Sequence, residues 1–502
     1  MAVAQKKSVP WEDDLMNPYN WPKHRKYCNT LLLSAMTFNT LMSSTIVAPA
    51  LPQVRKDLTI ESDAQTQLVL AIYVLAYAIG YFIWAPMSEV YGRTRVLQIA
   101  NVWFCVWTLI CGFARNQSMI VVGRLFSGAG AAAALALGTG VTAEIWRPAQ
   151  RGQSLAILST ITLLGPSIGP VLGGIIAAQS PSSWRWAFWS TTIFNAVLQL
   201  LALRFLHESH AQTIVGRRAR KVELMESKKT SPLLPTSVTN FLLNSLKRPF
   251  YLLISQPASQ ALILYSGLSF GVLYFMLSVL TDPFTKIYGQ SLIIASLNYI
   301  SFGIGPTIGA QICGPVVDTI YRYQTKRHDH SRSANATEDR EQSATRNAVK
   351  LPAEYRLYPL MPALILMTSG LLIFGWSLHY RLHWAVPNIG VIIFGAGNQA
   401  ATQCTNAYMM DSFSEINSTD VTSPHDATTS NAAKLSAPKM AMNWTASAMA
   451  SMWSVKALCG FAFPLFAVDT ISALGWGWSS TLLAMLNLVV GTEEDRIEQT
   501  MT

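Results

Sequence analysis

The sequence predicts an all-α integral membrane protein of twelve transmembrane helices arranged as two similar six-helix halves. Three observations predict it. Of the 502 residues, 51% are hydrophobic and 13% are Asp, Glu, Lys or Arg, where a soluble domain carries about 25% charge. The charges gather between apolar runs of the length that crosses a bilayer, about 18 residues or more, and the mean hydropathy is +0.28. A short charged motif between the second and third runs recurs between the eighth and ninth.

The first half holds runs at about 27–49, 66–86, 96–114, 119–143, 153–176 and 186–206. Ahead of them, residues 1–26 form a polar tail with three prolines and no apolar core, so no signal peptide is expected there. A polar linker follows at 207–250. The second half, 251–491, has runs at about 251–280, 291–314, 359–379, 386–410, 446–468 and 477–490. Its loops 318–358 and 411–445 are polar, and 492–502 is a short acidic tail. The last run has only about 14–16 apolar residues, below the length usual for a span.

Charge sets the orientation. Residues 207–250 carry eight Lys or Arg against three acids, and 318–358 carry eight against six. The short loops 87–95 and 146–152 hold Arg93, Arg95, Arg147 and Arg151, whereas 115–118 and 380–385 are nearly free of bases. Positive loops stay cytoplasmic, so both termini and the long loops are expected there. The net charge of +10 therefore suits an anionic leaflet rather than nucleic acid. Cys28, Cys105, Cys111, Cys313, Cys404 and Cys459 fall in or beside apolar runs without metal-ligand spacing, which argues against a disulfide framework. No phosphate-binding loop, selectivity filter or metalloprotease pattern is present, so neither an enzyme nor a cofactor is expected.

Several residues stand out against this background. In APMSEVYGRTR (85–95), Gly92 permits a tight turn while Glu89 and Arg93 place charge at the inner rim. Glu144, Arg147 and Arg151 at the base of runs 4 and 5 can pair with them and hold an inner gate closed. The competing reading is a solvated positive loop. GPVVDTIYR (314–322) repeats the pattern, with Asp318 for Glu89 and Arg322 for Arg93, and Asp411 repeats Glu144. Arg124 interrupts a run of Gly, Ala and Leu, and Lys456 sits mid-way along run 11. A charge there is costly unless it faces a cavity or a partner, which marks both for coupling or substrate contact. Asn298, Asn398 and Gln403 add polar groups at depth. In GPSIGPVLGG (165–174), Gly165, Gly169, Gly173 and Gly174 permit close packing, and Pro166 and Pro170 bend the helix. Asn116 is a weak glycosylation acceptor that hugs the membrane.

These strings, in order, resemble a fungal member of the major facilitator superfamily, and within it the twelve-span drug:proton antiporters that export polyamines, drugs and mycotoxins. NPYNWPKHRK (17–26), GRLFSGAGAA (123–132), EIWRPAQRG (144–152), WRWAFW (184–189), PAEYRLYP (352–359) and FAFPLF (461–466) add to those quoted above. The resemblance implies the major facilitator fold and a monomeric secondary transporter that exchanges a small organic substrate for protons by alternating access in the plasma membrane. It makes 85–95 the loop that gates the inner face, Arg124 the arginine tied to proton coupling, and 165–174 the signature of exporters. Three features depart from the family: Thr94 replaces a second arginine, 414–445 is an insert, and Lys456 stands where arginine is common. With the short last run, they leave two other readings: proton-coupled uptake of a nutrient, and a truncated, non-transporting membrane protein.

Overall fold

The structure is a computed structural model that describes residues 14, 16–146, 151–180, 182–211, 213–216, 257–335, 356–419 and 444–501. Arg147 lies outside the described residues, as do the side chains of Arg151, Asp318, Arg322 and Asp411. Every described element is helical: α1 (Lys23–Thr45), α2 (Leu51–Asp57), α3 (Asp63–Tyr91), α4 (Arg93–Gly112), α5 (Gln117–Ile145), α6 (Arg151–Ala177), α7 (Arg185–Phe205), α8 (Pro257–Val279) and the short α9 (Thr281–Lys286) and α10 (Leu292–Leu297). There follow α11 (Ser301–Asn335), α12 (Leu360–His379), α13 (Ala385–Thr419), α14 (Trp444–Leu465) and α15 (Ala467–Met501).

Among the described residues, eleven helical segments are long and apolar enough to cross a membrane. Helix α13 is long enough to be the twelfth, but Asn398, Gln399, Gln403 and Asn406 dilute its hydropathy. Large apolar side chains such as Leu200 (67% exposed) and Ile365 (64%) face outward; lipid accepts them, water would not. Helix α1 is rich in Ser and Thr yet crosses, because Thr30, Ser34 and Thr37 donate to carbonyls one turn back, at 3.0, 2.7 and 3.1 Å. Their hydroxyls thus need no water.

The structure differs from the sequence reading at three places. The segment 314–322 is not a turn but lies inside α11, which continues to Asn335. Helix α13 runs past Asp411 to Thr419. The last run also lies in a longer helical segment: the apolar part covers Ala467–Gly491, and helix continues through the acidic residues to Met501. A kink at Gly475, whose φ of 73° suits glycine, separates the part before Trp476 from the rest.

The chain divides into two compact units. The first comprises Met1–Leu246, Leu273–Gly303 and Ala457–Asp469. Here α6 lies against α1 through a row of glycines. A Cβ at Gly165 would come 2.9 Å from the Phe38 carbonyl oxygen, one at Gly169 2.6 Å from that of Met42, and one at Gly173 would strike that of Ile46. Both sets advance by four residues, so each glycine meets the next turn of α1. The second unit comprises Lys247–Val272, Ile304–Lys456 and Thr470–Thr502. Its core joins Tyr265, Cys313, Leu364, Ala401 and Cys404.

Candidate functional site

At one end of the first unit, α1 and α4 begin and α3, α5 and α7 finish. Gly92 turns the chain from α3 into α4 with φ 97°, and its N–H donates to the Ser88 carbonyl at 3.1 Å. A side chain at this position would also strike the Glu208 carboxylate. Arg93, the first residue of α4, holds three partners. Its Nε donates to Glu144 Oε1 at 3.1 Å, its Nη1 to Ser88 Oγ at 2.6 Å, and its backbone N–H to Glu208 Oε1 at 2.9 Å. Ser209 Oγ donates to the other Glu144 oxygen at 2.6 Å. The Glu208 carboxylate therefore sits at the α4 N-terminus, where unpaired N–H groups and the helix dipole favour an anion. Arg93 and Glu144 keep 14% and 23% side-chain exposure. At that burial, charge-assisted bonds of this kind contribute about 1.5–3 kcal/mol each. Glu89 is half-buried in the last turn of α3, and Arg95 is exposed on α4.

A strap from the N-terminal tail closes the same end. The Trp21 indole is buried, meets the His207 ring edge-on at 6.0 Å, and lies under the Arg25 guanidinium at 4.0 Å. The His207 backbone N–H donates to Asn29 Oδ1 at 3.0 Å, and Lys26 Nζ donates to the Tyr19 carbonyl at 2.8 Å. Trp146, at the end of α5, donates to Thr30 Oγ1 at 3.0 Å. Burial, followed by the Arg25 charge, holds the His207 imidazole below its ordinary value.

Toward the other end of α1, Arg124 of α5 is 1% exposed. Its Nη1 donates to the Ser43 carbonyl at 2.8 Å, Nη2 to Ser44 at 3.0 Å and Nε to Val69 at 3.1 Å. Ser43 and Ser44 lie in the last turn of α1, where carbonyls lack intrahelical partners and the dipole is negative. The helix ends there, and a single turn containing Pro49 leads into α2. The guanidinium therefore caps α1 across to α3, and it stacks 4.2 Å from the Tyr73 ring centre. The charge that seemed unpaired in the sequence is met by backbone.

The second unit holds Lys456, 2% exposed on α14. Its ammonium lies over the Trp453 indole at 4.8 Å, and Phe270 meets that indole edge-on at 6.1 Å. Among the described residues the ion pairs are Arg55–Asp63, Arg93–Glu144, Arg185–Asp57 and Lys286–Asp282, and Lys456 is in none of them. The predicted polar residues separate. Asn298 belongs to the first unit and is taken up locally, donating to Gln290 Oε1 at 3.0 Å and to carbonyls one turn back. Asn398 and Gln403 are on α13; Asn398 is buried with its Oδ1 unbonded among the described residues, and Gln403 is half-buried. Pro166 and Pro170 lie within α6, the Pro166 carbonyl accepting from Thr45 Oγ1 at 3.4 Å. Gly174 approaches the Ser296 side chain of α10. Asn116 is exposed and serves as the N-cap of α5, its Oδ1 accepting from the Met119 N–H at 2.8 Å.

Comparison with known proteins decides the family. The family model described as Major Facilitator Superfamily matches residues 33–438. The chain belongs to the major facilitator superfamily. It is 33% identical over 488 residues to an uncharacterized transporter of Schizosaccharomyces pombe, covering 96% of this chain and 89% of that one. It is equally 33% identical to the efflux pump vrtL of Penicillium aethiopicum, covering 96% and 87%. Among solved structures it resembles the xylose transporter XylE from E. coli with a TM-score of 0.63 and 14% identity, over 94% and 97% of the two chains; at that identity the likeness concerns the fold.

This major facilitator protein is thus a multi-pass membrane transporter related to fungal efflux pumps, and its fold is one of transport rather than catalysis. Its charged cluster includes three side chains the sequence reading passed over. Ser88 lies inside the 85–95 motif, and Glu208 and Ser209 lie in the polar segment 207–250. Their signal was the string HES immediately after an apolar run, with an acid returning to the end where Arg93 lies.

Proposed function

We propose that this transporter is a proton-coupled exporter of small organic compounds, of the drug:proton antiporter type, working as a monomer in the plasma membrane with both termini in the cytoplasm. The observation that carries the direction is the glycine row of α6 seated against α1, in the segment that resembles the exporter signature. Relatives named as efflux pumps, vrtL at 33% identity and radE of Floropilus chiversii at 31%, support the same direction.

In this reading Arg93, Glu144, Ser88, Glu208 and Ser209, with Glu89 beside them, form the inner gate. Gly92 fixes the turn that carries it. Arg147 and Arg151 supply further charge at its edge, while Asp318, Arg322 and Asp411 are the counterparts in the second half. Breaking Arg93–Glu144 frees the α3–α4 turn and admits substrate from the cytoplasm. The acids of the described spans lie toward the helix ends, so rim carboxylates such as Glu89, Glu144 or Asp411, or a group on the substrate, serve as proton acceptors. Protonating Glu144 would remove the ion pair and couple the gate to the proton gradient. Arg124 holds the outer end of α1 while the substrate is bound, and Lys456 faces the substrate.

The test is retention. Cells making the protein are loaded with a panel of fungal metabolites and drugs, and the amount kept is compared with cells lacking it. Lower retention of at least one compound supports export; greater retention indicates uptake, and no change across a broad panel removes transport.

A further inference from the structure

Lys456 is the least compensated charge in the described structure. Arg124 has three backbone carbonyls and the end of a helix. Lys456 has only the Trp453 face, at 4.8 Å, and is 2% exposed. An aromatic face offsets part of the cost of burying an ammonium, but three N–H donors remain without an acceptor among the described residues. An anion placed beside the ammonium would offset the cost of burying its charge. Trp453 and Lys456 are one helical turn apart on α14, so indole and ammonium lie side by side. Phe270 of α8 stands edge-on behind the indole at 6.1 Å.

We infer that Trp453 and Lys456 form a receptor for an aromatic anion, a flat ring carrying a carboxylate or an acidic phenol. The ring lies along the Trp453 indole, and its anionic oxygen replaces the π-face as the partner of the Lys456 ammonium. The same ammonium repels cations. Polyamines and cationic drugs, which the family resemblance admits, are therefore disfavoured at this receptor. This inference rests on the transporter reading above, but it concerns recognition and not direction.

Equilibrium binding tests it, because binding is read without reference to export. The full chain in nanodiscs is titrated with 2-naphthoate and with the matched cation, (2-naphthyl)methylammonium. The naphthoate is expected to bind at least tenfold more tightly. In Lys456→Gln the two probes should come within about twofold of each other, while Lys456→Arg should keep the preference; thermal unfolding checks that both variants fold. Equal or reversed affinities in the unaltered protein, no naphthoate binding, or a preference that survives in Lys456→Gln overturns the assignment. A protein that binds naphthoate selectively yet fails to lower its retention in cells would overturn export and leave the receptor standing.

Discussion

The Arg124 guanidinium donates to the Ser43 carbonyl at 2.8 Å, from α5 to the last turn of α1. Together with Ser44 and Val69 this bond makes a buried arginine part of the backbone scaffold. Arg124→Gln should remove at least two of the three bonds and lower stability by about 3 kcal/mol, since hydrogen bonds to charged groups contribute about 1.5–3 kcal/mol each. Arg124→Lys should recover little, because one ammonium cannot reproduce a planar fork that reaches three carbonyls. Thermal unfolding of the purified variants measures both. Stability unchanged in Arg124→Gln would show that the cap contributes nothing.

Arg93 and Glu144 should behave as a pair. Each single change, Arg93→Ala and Glu144→Gln, is expected to impair transport while leaving the protein in the membrane. The double variant should be little worse than either single one, with a coupling of about 0.5–3 kcal/mol in a double-mutant cycle. Additive losses in transport rate would show that the two side chains act separately.

The glycine row offers a built-in control. Gly173→Ala places a methyl group against the Ile46 carbonyl, whereas among the described residues nothing lies within 4 Å of the corresponding point at Gly314 or Gly216. Overpacking of this kind costs about 1–3 kcal/mol. Gly173→Ala should therefore reduce the amount of folded protein and its thermal midpoint, with Gly314→Ala and Gly216→Ala close to the unaltered protein. Equal behaviour of all three would contradict the close approach of α6 to α1.

The Trp21 strap should respond to pH. Burial and Arg25 lower the His207 value in the folded protein, so the unfolded chain binds the extra proton more readily. The stability due to this group is fully present above about pH 6.5, the ordinary histidine value, and is lost as pH falls through the lowered one. Trp21 fluorescence, read against a Trp21→Phe background, should report loosening of the strap on acidification. His207→Gln should abolish that response; an identical pH profile in the variant would assign it elsewhere.

The spans were legible because a bilayer leaves a strong imprint on composition: long runs without charge have few other uses. The extent of the last helix was not legible for a physical reason. Glu493, Glu494 and Asp495 end the apolar run, but charge beyond the hydrocarbon does not stop a helix. Likewise Asp318 and Arg322 looked like a loop because they echo Glu89 and Arg93, yet 314–322 has no glycine at the position of Gly92 and stays helical. Arg124 was visible as an anomaly, but its partners were not. They are carbonyls, which every residue carries, and they become available only because α1 stops at Thr45. Glu208 was hidden by its place in a polar segment; only the return of α7 to the α3–α4 turn gives it a role.

Proton-driven export is tested most directly in sealed vesicles holding the full chain, with an imposed pH gradient and the electrical potential clamped. With the cytoplasmic face of the protein outward and the vesicle interior acidic, a transported compound should accumulate inside and release protons outward. Collapsing the pH gradient should bring its level back to equality across the membrane, and Glu144→Gln should weaken the dependence on that gradient. Movement that ignores the imposed pH gradient would contradict proton coupling and leave facilitated diffusion in its place.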